Sequence, residues 1–429
     1  VESANPLGAS AQSRQNSPRL PVGARVITIE ATIQGQKRKI KYTRYPAKKQ
    51  PSRAIFFHLC GGPGVTCVER GLPPETPHDV EGVAMDYIGL GQNSGRMLSG
   101  AELSIEAQGE AVAAIVQDLK STDVVLYGQS FGTSVATVAG AELSKAQYTF
   151  KPRSILLVGV LGDDTKVNRA IATERIASRA WALLSKSEKA KFISAYDRLT
   201  RGQHPDERRL IDGLVMEPAA DGVQTLVKNL RTVANRRQHN REAVLNRAAA
   251  ATEDFMTVDE NRQYRATACQ INPYGDAPPT VRGYFNGRVL SPSLEQARVK
   301  QVCTHCRLIN RTFDPAQFPI RGIPVLYVNS DTDVATPIEG ARYHFESQTQ
   351  ATQKFFVEIK DGGHAVFPNI PKCTNEILDA AITGDFTRVA ERSAEIAIDK
   401  CSIDGRREPG SIKKNKKKVV KNNKVSEKK

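Results

Sequence analysis

The sequence predicts an α/β fold: a mostly parallel, doubly wound sheet interrupted once by a helical insertion. Short apolar runs of strand length alternate with segments of helical period on both sides of a long central stretch. That central stretch, from Gly162 to about Pro319, is rich in Arg, Lys, Glu and Ala and offers no convincing strand series. At 429 residues the chain is also long enough to bury a large core.

The elements follow in order. Residues 25–45 alternate apolar and polar positions around Gln34-Gly35, the pattern of a hairpin. "AIFFHL" (54–59) and "EGVAMDY" (81–87) are buried strands, and residues 104–120 carry Ala111, Ile115 and Leu119 at helical spacing. The run Val124-Val125-Leu126-Tyr127 is a further strand, and a small-residue helix begins at Thr133. "SILLVGV" (154–160) closes the first half. In the insertion Phe192, Ile193, Tyr196 and Leu199 keep a helical period, and sheet character returns at 323–331 and 354–359.

Between strand and helix stands Gly128-Gln129-Ser130-Phe131-Gly132, a G-x-S-x-G pattern. A strand, a tight turn and a helix around such a serine form the context of a nucleophile elbow, whose flanking glycines let the backbone bend with neighbours close by. A serine hydroxyl needs a base, and the base needs an acid to hold its tautomer. His364, in a glycine-rich loop just after a strand, is the expected base. His204, His239 and His305 fall in the insertion, and His344 is read as a helical surface position. Asp333, four residues before Pro337, is the expected acid; Asp331 is read as a turn residue, and Asp163 and Asp164 after the earlier strand are the alternative. Gly62, in "HLCGGPG", and Phe131 are the expected backbone donors to a tetrahedral oxyanion.

Charge and cysteines bound the rest. The net charge is +15, but the last 19 residues hold nine Lys and one Glu, so +8 of it lies in a low-complexity tail read as disordered. The remaining +7 asks for no nucleic-acid partner. No apolar stretch approaches the roughly 18 residues of a membrane span, so a soluble protein is expected. Seven cysteines leave at least one unpaired within the chain. The Cys303-Thr304-His305-Cys306 cluster lacks the second ligand pair a zinc site would want, so no metal and no cofactor are expected. The chain opens on Val, which fits a mature form after leader removal and suggests a secreted or periplasmic protein; a trimmed chain would open the same way.

Four motifs in order resemble the prolyl aminopeptidase and tripeptidyl aminopeptidase family of α/β-hydrolase serine exopeptidases. Gly61-Gly62-Pro63-Gly64 resembles its G-G-P-G, Asp86-Tyr87-Ile88-Gly89-Leu90-Gly91 its D-x-R-G-x-G, residues 128–133 its G-x-S-[YFW]-G-T, and Asp333-Val334-Ala335-Thr336-Pro337 its D-x-x-T-P. Two positions depart from the pattern: Cys60 stands where His is usual, and Ile88 where Arg is. The resemblance implies a Ser130–Asp333–His364 triad, a peptide substrate with a free amino end, and a helical cap over the site. It also implies a Cys373–Cys401 disulfide, with Cys269 pairing to Cys303 or Cys306. The expected organisation is a polar segment 1–23, a core of 24–161 and 320–404, a cap of 162–319 and a basic tail of 405–429. Carboxylates for a substrate ammonium would come from the cap, whose acidic residues include Glu174, Glu217, Glu253, Asp254, Asp259 and Glu260; none is singled out. An esterase on the same fold is the alternative reading.

Overall fold

The structure is a computed structural model. It describes residues 20–95, 98–162, 169–235, 282–291 and 312–387, together with 263, 266, 267, 269–271 and 389. The expectations for the basic tail and for most of segment 1–23 lie outside these residues.

The strands are β1 (Arg25–Ile33), β2 (Gln36–Tyr45), β3 (Ala54–Leu59), β4 (Val80–Ala84), β5 (Val124–Gln129), β6 (Ser154–Val158), β7 (Arg282–Tyr284), β8 (Val289–Ser291), β9 (Val325–Ser330) and β10 (Lys354–Ile359). Helices α1 (Cys67–Arg70), α2 (Gly100–Leu103), α3 (Ile105–Leu119) and α4 (Phe131–Leu143) belong to the first half. The stretch after β6 carries α5 (Arg169–Ala182), α6 (Lys186–Thr200), α7 (Pro205–Met216) and α8 (Val223–Ala234), with a 3-10 turn at Glu217–Asp221. The last half adds α9 (Ile338–Ser347), α10 (Val366–Asn369) and α11 (Pro371–Thr383).

Among the described residues, eight strands form one sheet in the order β1-β2-β4-β3-β5-β6-β9-β10. The β1–β2 hairpin and the β2–β4 pairing are antiparallel; from β4 to β10 every pairing is parallel. Strand residues alternate between two cores because successive side chains point to opposite faces. Phe57, Leu59, Leu126, Leu157 and Tyr327 face one core with Val112 and Val116 of α3 and Val135 of α4. Phe56, Val125, Leu156, Leu326 and Val357 face the other with Ile377 and Ala381 of α11. The helices after β6 build a separate cluster around Ile176, Phe192, Tyr196, Leu226 and Leu230.

This stretch is not purely helical. A small antiparallel hairpin, β7–β8, packs Tyr284, Phe285 and Val289 into that cluster. Its three-residue strands are too short to show a period in sequence.

Candidate active site

Ser130 occupies the join between β5 and α4 with φ 53° and ψ −122°, a positive-φ conformation that L residues rarely hold. Its N–H donates to Val158 O (2.9 Å), which ties the turn to the end of β6. The hydroxyl is not used to cap α4. The flanking glycines are required by space. A Cβ at Gly132 would lie 1.9 Å from Leu59 O, and one at Gly128 would lie 2.6 Å from Gly132 O. Helix α4 therefore starts in backbone contact with the end of β3, where the glycine-rich loop begins.

The loops that carry Asp333 and His364 follow β9 and β10, which are parallel neighbours. Asp333 is fully buried and His364 is partly exposed. His364 Nδ1 lies 2.9 Å from Asp333 Oδ2 and 3.1 Å from Oδ1. A carboxylate only accepts, so Nδ1 carries the proton and Nε2 presents the lone pair of a base. The carboxylate is saturated from its other side by the N–H groups of Ala335 (2.9 Å) and Thr336 (2.8 Å) and by the Thr336 hydroxyl (2.6 Å). Burial alone would push the Asp333 carboxyl up. His364 and the hydrogen bonds from Thr336 outweigh it and hold the group below the usual carboxylate range. Gly159, at the end of β6 with φ 62°, lies under the ring; a Cβ there would be 3.0 Å from His364 Cε1. Asn329 on β9 fixes this neighbourhood, accepting from Val160 N–H (2.6 Å) and donating to Thr336 O (3.0 Å).

The glycine-rich loop after β3 abuts the serine: a Cβ on Gly61 would sit 2.9 Å from Ser130 Cβ. Gly62 takes φ 124°, open only to glycine in practice. As the first residue of α4, Phe131 has an N–H without an intrahelical acceptor. Three ties hold the loop. A disulfide joins Cys60 to Cys67, the Tyr87 hydroxyl donates to Cys60 O (2.8 Å), and Gly64 N–H donates to the side-chain oxygen of Gln263 (2.8 Å). Tyr87 also packs edge-on against Phe131. Asp86 is buried and accepts from the N–H groups of Val68 and Gln92, both 2.9 Å, so the D-x-x-G-x-G segment acts as the buttress of this loop. The departure at Cys60 thereby acquires a partner.

Sequence reasoning named Ser130, Asp333, His364, Gly62 and Phe131, and the ends of β3, β5, β9 and β10 carry them on one edge of the sheet. It missed Gly159, Asn329, Gln263 and the Cys60–Cys67 bond. Two cysteines seven residues apart around a glycine-rich loop were the available signal for the last. His344 is corrected. It is buried, with Nδ1 2.8 Å from Leu161 O and Nε2 3.1 Å from the Thr137 hydroxyl. Burial pushes its imidazole down to about 4, so the ring is neutral and its Nδ1 donates to the Leu161 carbonyl. Cys373 and Cys269 are each disulfide-bonded; Cys401, Cys303 and Cys306 lie outside the described residues, as do Asp163, Asp164, His239, His305, Glu253, Asp254, Asp259 and Glu260. Glu174 and His204 are exposed, and the Glu217 side chain is not described. Among the described residues no helix is long and apolar enough to cross a membrane.

The sheet order, the elbow serine after β5 and the loops after β9 and β10 define an α/β-hydrolase fold. No protein-family model matches the chain, and no curated protein matches it. Among solved structures it is similar to a bromoperoxidase from Bacillus anthracis, at 14% identity and TM-score 0.40 over 83% of this chain and 99% of that one. It is also similar to an alpha/beta hydrolase enzyme from a Medee basin deep-sea metagenome library, at 14% identity and TM-score 0.41 over 84% and 97%. A serine hydrolase from Cycloclasticus zankles gives 12% identity and TM-score 0.41 over 85% and 99%.

Proposed function

We propose that the protein is a serine hydrolase acting through an acyl-enzyme, and that its substrates are peptides with a free amino end. The observation that carries the first part is the buried Asp333 carboxylate paired with His364 at the strand edge where Ser130, half-buried, holds its positive-φ turn. In this reading His364 Nε2 takes the Ser130 proton as Oγ attacks the scissile carbonyl. The N–H groups of Gly62 and Phe131 stabilise the oxyanion, and His364 returns the proton to the leaving amine. Water, giving a proton to His364, then attacks the acyl carbon, and His364 passes that proton to Ser130 Oγ as the ester bond breaks and the acid leaves. Asp333 stays ionised and holds the imidazole tautomer throughout.

The four-motif resemblance supports the aminopeptidase reading, with the helices after β6 as cap. The Cys60–Cys67 disulfide supports an oxidising, extracytoplasmic setting. Two measurements test the proposal. A fluorophosphonate probe should label Ser130, and Ser130→Ala should abolish labelling and lower turnover by roughly four orders of magnitude or more. Short peptidyl anilides with a free amino end should be cleaved, and N-acetylation should slow them at least about tenfold, since a buried ammonium subsite loses its ligand. Equal rates on free and acetylated substrates, with acyl esters faster than either, would identify an esterase.

A further inference from the structure

The loop that carries His364 is held from two sides. Its successive N–H groups form a ladder onto the acid loop: Asp361 N–H donates to Asp331 Oδ1 (2.9 Å), Gly362 N–H to Ser330 Oγ (2.9 Å) and Gly363 N–H to Thr332 Oγ1 (3.2 Å). The next N–H, that of His364 itself, leaves the sheet domain. It donates to Ala220 O, in the 3-10 turn between α7 and α8.

Backbone meets backbone at this junction. A Cβ on Gly363 would lie 2.3 Å from Gly222 N, and one on Gly222 would lie 2.7 Å from Asp361 O. The Asn369 amide bridges the same seam, donating to Gly362 O (2.7 Å) and Asp221 O (3.1 Å). On the other flank, Arg179 of α5 places one nitrogen, Nη1, 2.8 Å from Asp331 Oδ2 and 2.6 Å from Asp361 Oδ1. That nitrogen joins the acid loop to the base loop.

Asp361 and Gly363 both hold positive φ, and the loop has little side chain of its own to fix it. We infer that the insertion positions the base: Arg179 and the Ala220–Gly222 turn are positioning elements that hold His364 in register with Ser130. The inference rests on Ser130 and His364 being nucleophile and base. Arg179 acts by geometry more than by ion-pair strength, because it is 38% exposed and Asp361 49% exposed, where pairs stabilise little. A displacement of about 1 Å at a reacting group is enough to cost two orders of magnitude in rate. The insertion therefore governs proton transfer as well as substrate entry.

A small fluorophosphonate separates these two roles, because it reacts with the serine without needing a peptide subsite. Its labelling rate would be measured beside kcat, KM and Tm for the full chain and for Arg179→Ala, Arg179→Lys, Gly222→Ala and Asn369→Ala. Arg179→Ala and Gly222→Ala should each lower labelling rate and kcat together by at least about tenfold, with KM within about twofold. Their Tm should stay within about 4 °C of the parent. Arg179→Lys, which can set one ammonium between the two carboxylates, should recover most of the rate. Asn369→Ala should show the same paired loss in smaller measure, and carries the test if Gly222→Ala does not fold. Parent-like labelling with a raised KM would overturn the inference, leaving the insertion a substrate-binding element. A rate loss tracking Tm, with no rescue by lysine, would overturn it in favour of a purely structural role. Failure of the unsubstituted protein to label at Ser130 would instead remove the catalytic reading beneath it.

Discussion

Asp333 shows how completely one buried carboxylate can be committed to a single task. Two backbone N–H groups and the Thr336 hydroxyl occupy the lone pairs that His364 leaves. Asparagine would keep the shape and still accept from Ala335 and Thr336 N–H through its carbonyl. Its NH2 cannot accept from His364 Nδ1–H, so the ring would turn to the tautomer whose Nε2 is protonated and useless as a base. Asp333→Asn should therefore lower kcat by about four orders of magnitude with little loss of stability. Asp331→Asn, which keeps a side-chain acceptor for Asp361 N–H, should lose far less; the reverse ranking in a kcat comparison would move the acid. Both aspartates were visible in the sequence, and the D-x-x-T-P spacing is what favours Asp333. His344 was not legible, because its partners Leu161 and Thr137 come from distant parts of the chain. Gly159 was hidden for the same reason: its need for a bare backbone arises from His364, which approaches it only in the folded sheet.

Among elements, two of the continuous apolar runs were legible to the residue, while those of β5, β6 and β9 were placed with their ends a few residues off. β3 (54–59) and β10 (354–359) match their sequence reading because each run ends abruptly in polar or glycine-rich residues. The strand expected over 81–87 is shorter, Val80–Ala84, because Asp86 and Tyr87 leave the sheet to brace the glycine-rich loop. That loop carries the next prediction. Its Cys60–Cys67 bond closes a short ring around Gly61 and Gly62 beside Ser130, and in the proposed mechanism it holds the oxyanion donor. Replacing both cysteines by alanine should destabilise the protein by about 2 kcal/mol. It should also lower kcat about tenfold with KM little changed, because a loosened donor matters most where charge develops. Urea midpoints and steady-state rates on the double variant test both parts; unchanged kcat beside the lost stability would make the bond a structural staple only.

At the scale of the whole molecule, two histidines sit in the packed interior at opposite ends of the sheet domain's chain. His58 in β3 and His344 in α9 are both buried, and burial pushes each imidazole from 6.5 down to about 4. Carbonyl contacts such as Leu161 O on His344 Nδ1 favour the proton but do not offset the lost hydration. In the unfolded chain both rings bind a proton near pH 6.5, whereas the native protein resists until about pH 4. Between those values the unfolded state holds more protons, so stability is full above pH 6.5 and falls with pH until the native rings also protonate. Each ring should contribute about 3 kcal/mol to that loss, from a shift of some 2.5 units at 1.36 kcal/mol per unit. Urea unfolding at pH 7, 5.5 and 4.5 should show a steepening decline. His344→Gln should flatten it by about half, since an amide can donate to Leu161 O without titrating. A midpoint independent of pH over this range, or a variant as steep as its parent, would mean that the interior accommodates the imidazolium through hydration or movement of α9.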